Sequence, residues 1–231
     1  VNDQDGLFFF SVVFDPINPE NVYAGTTFSY FYKSTDGGDT WVMKMDVSYD
    51  RVKTIIVLNQ HPQIVYFASN RGVYKSVDAG ETFDRFFGGV GILTFAIHPN
   101  NPLIMYVSTS LLLYKSKDGG MNWEVVENWV NKIDSGPNVV IFDFQNPDII
   151  YAGTRGSGLF KTIDNGENWE AFYKGIHAND ITGIAQSTQY SNVFYASAYL
   201  GGVFKSIDYG ASWVSLGKVM NDSELTGIGV H

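Results

Sequence analysis

Apolar residues run through this chain in short bursts: SVVF at Ser11 to Phe14, TIIVL at Thr54 to Leu58, TFAI at Thr94 to Ile97, VVIF at Val139 to Phe142 and TGIA at Thr182 to Ala185. Bursts this short, apolar on nearly every residue, predict strands covered on both faces. A turn follows each, marked by Pro19, Pro62, Pro102 and Pro147, with Ser191 in the fifth copy; four residues on stand Tyr23, Tyr66, Tyr106, Tyr151 and Tyr195. Each unit thus predicts four strands, which in the first copy run from about Phe10 to Phe14 (A), Val22 to Thr26 (B), Phe31 to Ser34 (C) and Trp41 to Met45 (D).

Strands C and D are joined each time by nearly the same eight residues: STDGGDTW from Ser34, SVDAGETF from Ser76, SKDGGMNW from Ser116, TIDNGENW from Thr162 and SIDYGASW from Ser206. The steps between them are 42, 40, 46 and 44 residues, the period of a four-stranded propeller blade. The expected fold is an all-β β-propeller with five such repeats and the first strand of a sixth. It is read as a single domain or propeller fragment over 1–231, with blades at about 7–48, 49–90, 91–135, 136–178 and 179–222. The extra strand spans 223–231, where SELTGIGVH repeats the opening register and stops before the expected proline; two accounts stay open, five blades closing alone or further blades or another chain completing the sheet.

The turn chemistry is local. Asp36, Asp78, Asp118, Asp164 and Asp208 can accept backbone N–H groups of their own turn, the fifth-position glycines can take positive φ, and Trp41, Phe83, Trp123, Trp169 and Trp213 can anchor the hairpin. These phrases resemble the Asp box of the bacterial neuraminidase repeat. Together with DPINPENVYAGT (Asp15 to Thr26) and YKSTDGG (Tyr32 to Gly38), they look like the blades of xyloglucanases, sialidases, sortilin-type receptors and photosystem assembly factors. The resemblance implies a structural box on the outer C–D turn and ligands on the face formed by the B–C and D–A loops.

Those loops carry Arg51, Arg71, Arg155, Asp46, Asp50, Glu127, Asp134, His177, Asp180, Asp222 and Glu224. The ligand-binding candidates are Arg51, Arg71, Trp129, Arg155, His177 and Glu224. The longest D–A connection, Glu127 to Asn138, carries Trp129, whose indole either stacks on a sugar or covers the blade edge. Glycoside hydrolysis needs two carboxyl groups about 5 to 10 Å apart, and loop position selects Asp50, Asp134 and Asp180. The family patterns are incomplete, however. The Arg-Ile-Pro signature of sialidases is absent, and Ala24 to Ser34, matching the segment that bears the first catalytic Asp in xyloglucanases, holds no acid.

Composition narrows the remaining classes. A formal charge of −9 with 15 basic residues argues against nucleic acid, and only four of them are arginine, too few for the basic patch of the photosystem factors. No cysteine is present, which removes disulfides and thiolate chemistry. The four histidines lack ligand spacing, so no metal and no cofactor are expected. No apolar run of 18 residues predicts membrane insertion. The expected function is a secreted, cell-surface or periplasmic binding or scaffold module for a glycan or protein. The alternative is a xyloglucanase-like glycoside hydrolase using a carboxylate pair on the loop face.

Overall fold

The computed structural model describes residues 9–27, 30–48, 50–130, 133, 135–178 and 180–217. Among them, five four-stranded antiparallel sheets are each built in chain order. The chain divides into two compact units, 1–92 and 93–231.

The first unit holds two sheets: β1 (Phe9–Phe14), β2 (Val22–Thr26), β3 (Tyr30–Ser34) and β4 (Val42–Asp46), then β5 (Val52–Leu58), β6 (His61–Ser69), β7 (Gly72–Ser76) and β8 (Asp84–Gly88). Tyr23 and Phe31 of the first sheet pack on Val52, Ile55 and Phe67 of the second in one buried cluster. Gly25 belongs to this contact, since a Cβ there would lie 2.4 Å from Cγ1 of Val52. At Gly25 the absence of a side chain lets the second sheet approach the first.

The second unit opens within β9 (Ile92–Ile97) and continues with β10 (Met105–Thr109), β11 (Leu113–Ser116), β12 (Glu124–Val125) and the short helix α1 (Glu127–Val130). Then come β13 (Pro137–Phe142), β14 (Ile150–Thr154), β15 (Leu159–Thr162) and β16 (Glu170–Ala171), and last β17 (Ile181–Gln186), β18 (Phe194–Ala198), β19 (Gly202–Ser206) and β20 (Val214–Gly217). Tyr106, Trp129, Ile150 and Trp169 share one buried cluster, and Tyr151, Leu159, Ile181, Phe194 and Trp213 share another.

The outer strands begin one residue later than the pattern predicts, at Val42 and Val214, because the tryptophan belongs to the turn. Nε1 donates back to a turn carbonyl in three copies: Trp41 to Gly38 at 2.8 Å, Trp123 to Gly120 at 3.1 Å and Trp169 to Gly166 at 3.2 Å. The eight-residue turn itself is built alike in every sheet. In the third, Ser116 Oγ donates to Asp118 Oδ1 at 2.8 Å and accepts from Gly120 N at 2.8 Å, while Asn122 N donates to the same carboxylate at 2.9 Å. Backbone bonds of 2.8–3.0 Å tie the turn to the A–B turn: Gly37 to Glu20, Ala79 to Gln63, Gly119 to Leu103, Asn165 to Asp148 and Tyr209 to Asn192. These donors hold Asp36 and Asp118 at about 2, below the ordinary carboxylate value; the Thr40 hydroxyl leads for the first and the Asn122 N–H for the second.

Consecutive sheets within a unit are joined at this same end. Tyr23 Oη donates to the carbonyl of Ala79 at 3.2 Å and Lys33 Nζ to Glu81 at 2.7 Å, so one sheet's B–C strands grip the next sheet's turn. Tyr106 Oη and Lys115 Nζ reach the Asn165 carbonyl, Lys115 also lying 3.3 Å from Glu167. Between the last two sheets the turn is held through its tryptophan, Trp213 Nε1 donating to the Phe172 carbonyl at 3.2 Å, and a further tie lies in the A–B turns. Gln186 Nε2 donates to Asp143 at 2.9 Å, and Gln186 Oε1 accepts from Phe144 N at 3.0 Å.

One expectation fails for the first strand. β1 is not covered on both faces: Val12 is 51% and Phe14 57% exposed, whereas Ile55, at the position in β5 equivalent to Val12, is 6% exposed. The expected further strand at 223–231 lies outside the described residues.

Candidate functional site

The B–C and D–A loops lie at the end of each sheet opposite the eight-residue turn. Strand A enters from this end through an irregularity in four sheets, at Phe9/Ser11, Val52/Thr54, Pro137/Val139 and Ile181/Gly183. Such bulges twist the strand and re-aim the residues beside them.

In the first unit this end is organised by Asp50, which is 4% exposed. Its Oδ1 accepts the N–H of Arg51 at 2.7 Å and its Oδ2 that of Arg71 at 2.9 Å. One carboxylate thus clamps a D–A loop to a B–C loop, and both guanidinium groups rise from the clamp into exposed positions. Arg51 lies over the ring of Phe10 at 5.1 Å. Beneath them, Lys53 Nζ donates to the Ile92 carbonyl at 2.8 Å, and burial holds its pKa below the ordinary lysine value. Asp46 is exposed and accepts the Ser48 N–H at 2.7 Å.

In the second unit the structure brings Arg155 and Asp180 together. Their backbones form an isolated antiparallel bridge, and Arg155 Nε lies 3.9 Å from Asp180 Oδ2. The aspartate side chain is 30% exposed and that of the arginine 81%. Asn138 Nδ2 donates to Asp180 Oδ1 at 3.1 Å and to the Ile181 carbonyl at 3.0 Å, fixing the carboxylate while one oxygen faces Arg155. His177 is exposed three residues before Asp180, and Glu127 is exposed at the start of α1.

Trp129 is fully buried. Its Nε1 donates to the Ser135 carbonyl at 2.9 Å, and its ring meets Trp169 edge-on at 5.1 Å and Phe160 at 5.5 Å. The indole covers the edge of the sheet and presents no face on which a sugar could stack. α1, which the strand pattern did not predict, turns this residue inward after a strand only two residues long. Asp134, Asp222 and Glu224 lie outside the described residues.

Asn138 escaped sequence reasoning, because nothing in the repeat distinguishes it from other loop asparagines. The inter-sheet ties had a visible signal in the lysine before each eight-residue turn, at Lys33, Lys75, Lys115, Lys161 and Lys205, with a glutamate at the sixth turn position in two copies, Glu81 and Glu167. Two concave sites lie away from the loop end. One, of about 160 Å³, is lined by Lys115, Lys117, Glu124 and Glu167, and another, of about 340 Å³, by Lys161, Asp164, Glu170 and Phe172. Among the described residues no three His, Asp or Glu side chains gather as metal ligands, and no helix is long and apolar enough to cross a membrane.

No family model matches the chain. It is 26% identical over 220 residues to xyloglucanase Xgh74A of Acetivibrio thermocellus, a match covering 72% of this chain and 26% of that protein. It is 31% identical over 121 residues to a probable oligoxyloglucan-reducing end-specific xyloglucanase of Neosartorya fischeri, covering 46% of this chain and 15% of that protein. The chain therefore spans about a quarter or less of the length of these relatives. Among solved structures, an ancestral GH74 enzyme superposes with a TM-score of 0.76 at 20% identity over 93% of this chain and 32% of that one. With five four-stranded antiparallel sheets matching those blades, the chain has the β-propeller fold.

Proposed function

We propose that this chain is part of an extracellular propeller protein acting on a xyloglucan-type polysaccharide, and that its B–C and D–A loop end faces the glycan. The observation that carries this reading is the likeness to a xyloglucanase sustained over 72% of the chain. The chemistry of the loop end agrees with it. In the first unit exposed Arg51 and Arg71 offer donors to sugar hydroxyls; in the second exposed Arg155 and His177 do so, and Asp180 offers a partly exposed carboxylate held in orientation by Asn138. Within the set Asp50, Asp134 and Asp180, Asp50 is the positioning group, since both of its oxygens accept backbone N–H groups. Asp180 is the candidate acid or base, with Asp134 as its candidate partner.

The test is reducing-end release from xyloglucan and its oligosaccharides, measured beside affinity electrophoresis in gels containing the polymer. Turnover lost in Asp180→Asn with retained mobility shift is the expected result. Turnover that survives Asp180→Asn and Asp134→Asn together rejects the carboxylate assignment.

A binding or scaffold role for a glycan or protein is the second reading. The occupation of Asp50 by backbone groups and the pairing of Asp180 with Arg155 favour it, because both carboxylates then serve loop structure. A mobility shift lost in Arg155→Ala, without turnover in any form of the chain, selects this reading.

A further inference from the structure

In the first and fourth sheets an aspartate closes the turn between strands A and B, and in the third a histidine stands in its place. Asp15 Oδ1 accepts the N–H groups of Ile17 at 2.9 Å and Asn18 at 3.0 Å, and Asp143 Oδ1 those of Gln145 and Asn146, both at 3.0 Å. In the third sheet His98 Nδ1 accepts from Asn100 N at 3.2 Å and Asn101 N at 3.0 Å. The backbone frame is shared: the N–H groups of Asp15, His98 and Asp143 donate to the carbonyls of Asn21, Ile104 and Ile149 at 2.9–3.0 Å.

A carboxylate and an imidazole fill this role on different terms. The carboxylate remains an acceptor down to about pH 4, whereas an imidazole nitrogen accepts only while it is unprotonated, and histidine takes up its second proton at about pH 6.5. The two donors therefore put the ring hydrogen of His98 on Nε2 and leave Nδ1 bare. Protonation makes Nδ1 a third donor facing the other two. Asn101 N–H is shared with the His98 carbonyl at 3.3 Å, so the loss falls hardest on Asn100.

The imidazole is also enclosed. His98 is 8% exposed, and its ring meets that of Phe142, on the fourth sheet, edge-on at 5.3 Å. Burial holds its pKa below the ordinary 6.5, although Asp148, the charged group facing it from the fourth sheet's A–B turn, and its own backbone favour the charged form. The segment it closes is tied onward, since Ile104 N donates to the Asn101 carbonyl at 3.0 Å and Gly119 N to that of Leu103 at 2.9 Å. The eight-residue turn of the third sheet thus rests on the A–B turn that His98 holds.

We propose that His98 is an acid-released latch of the third sheet: neutral, it closes the A–B turn; protonated, it lets Asn100 and Asn101 go and loosens the tie from Leu103 to Gly119, while the turns closed by Asp15 and Asp143 stay shut. The opening is confined to the turn and leaves β9 paired with β10, because that pairing is made by the backbone. Its direction follows from linkage. The open turn takes up a proton at the ordinary 6.5 and the closed turn only below it, so the protection given by closure is complete above that pH. It is lost as pH falls from there through the closed-state value, by up to about tenfold per pH unit.

The test is amide hydrogen exchange of the full 231-residue chain, read residue by residue from about pH 8 to about pH 5 and expressed relative to the intrinsic rate of each amide. Protection at Asn100 and Asn101 should fall once the pH drops below that of an ordinary histidine, with Gly119 following, while Ile17, Asn18, Gln145 and Asn146 hold theirs. Nitrogen NMR shifts of the imidazole should place its hydrogen on Nε2 in the alkaline samples. His98→Asp should give the third turn the flat profile of the other two, and His98→Ala should leave it weakly protected throughout. A hydrogen on Nδ1 in the alkaline samples overturns the proposal, as does protection at Asn100 that runs parallel to that at Ile17 and Gln145 over the whole range. An acid-induced loss that persists in His98→Asp also overturns it, by placing the titrating group elsewhere. The exchange profile and the imidazole shifts are read on the unaltered chain, so they decide the matter whether or not either variant folds.

Discussion

Lys33 and Glu81, 48 residues apart, meet at 2.7 Å, and the other oxygen of Glu81 accepts from Lys44 at 2.6 Å. The Lys33 side chain is 7% exposed while that of Glu81 is 47% exposed, so a largely buried ammonium depends on a carboxylate at the surface. Glu81→Ala leaves Lys33 to water that reaches it only through the vacated position. The expected loss is about 1 kcal/mol, the upper end for pairs with one solvated partner. Chemical denaturation measures it, and a double-mutant cycle with Lys33→Met isolates the pair from other effects of the substitution.

Acid should loosen this joint and the turns together. The Lys33 and Lys44 ammonium groups hold Glu81 below its ordinary value of 4.5, and Asp36 and Asp118 are held at about 2 against an ordinary 3.8. A carboxylate whose folded pKa is lowered contributes stability above its unfolded pKa and loses it as pH falls through the folded one. Melting temperature should therefore hold through neutral pH, begin to fall near pH 4.5 and keep falling toward pH 2. Asp118→Asn should lower the melting temperature at pH 6 and flatten the decline below pH 4. A decline equally steep in that variant would show that the acid sensitivity resides elsewhere.

Repetition made the strands readable and left the joints between them obscure. The B strand Val22–Thr26 was legible to the residue because a tyrosine marks it in every copy and a proline precedes it in four of the five, and the C–D turns because five copies of Ser/Thr-x-Asp-x-Gly expose a local hydrogen-bond scheme. The outer strands were displaced by one residue, since a tryptophan ahead of an apolar run reads as strand even when its indole folds back on the turn. The candidate site was legible as a set of loops but not as contacts. That Asp50 would hold two backbone N–H groups, or that Asn138 would orient Asp180, follows from the spatial apposition of loops separated by 21 and 42 residues, which one sequence does not encode locally.

Trp129 separates a structural from a binding role. With the indole fully buried against Trp169 and Phe160, Trp129→Ala should cost about 3–5 kcal/mol, the range for emptying an aromatic site in a core. Affinity for xyloglucan, measured below the unfolding temperature, should not change. Loss of affinity at unchanged stability would require the indole to leave the core and would refute its assignment as the cover of the sheet edge.

The joint between the fourth and fifth sheets provides a test of the lysine rule itself. Lys161 occupies the place of Lys33 and Lys115, but its ammonium lies over the rings of Tyr151 at 5.4 Å and Phe172 at 5.6 Å, and the sixth residue of the next turn is Ala211 instead of a glutamate. Ala211→Glu should supply the missing acceptor and add about 0.5 kcal/mol, as one partly exposed pair does. For a chain of this length that corresponds to a rise of roughly 1–2 °C in melting temperature. Salt should erase the gain, because the pair is screened. Ala211→Gln, which keeps the shape without the charge, should give less, and Lys161→Met in the Ala211→Glu background should cancel the increase. If Ala211→Glu and Lys161→Met combine additively, the lysine does not reach that turn, and the rule inferred from Lys33 and Lys115 does not extend to this joint.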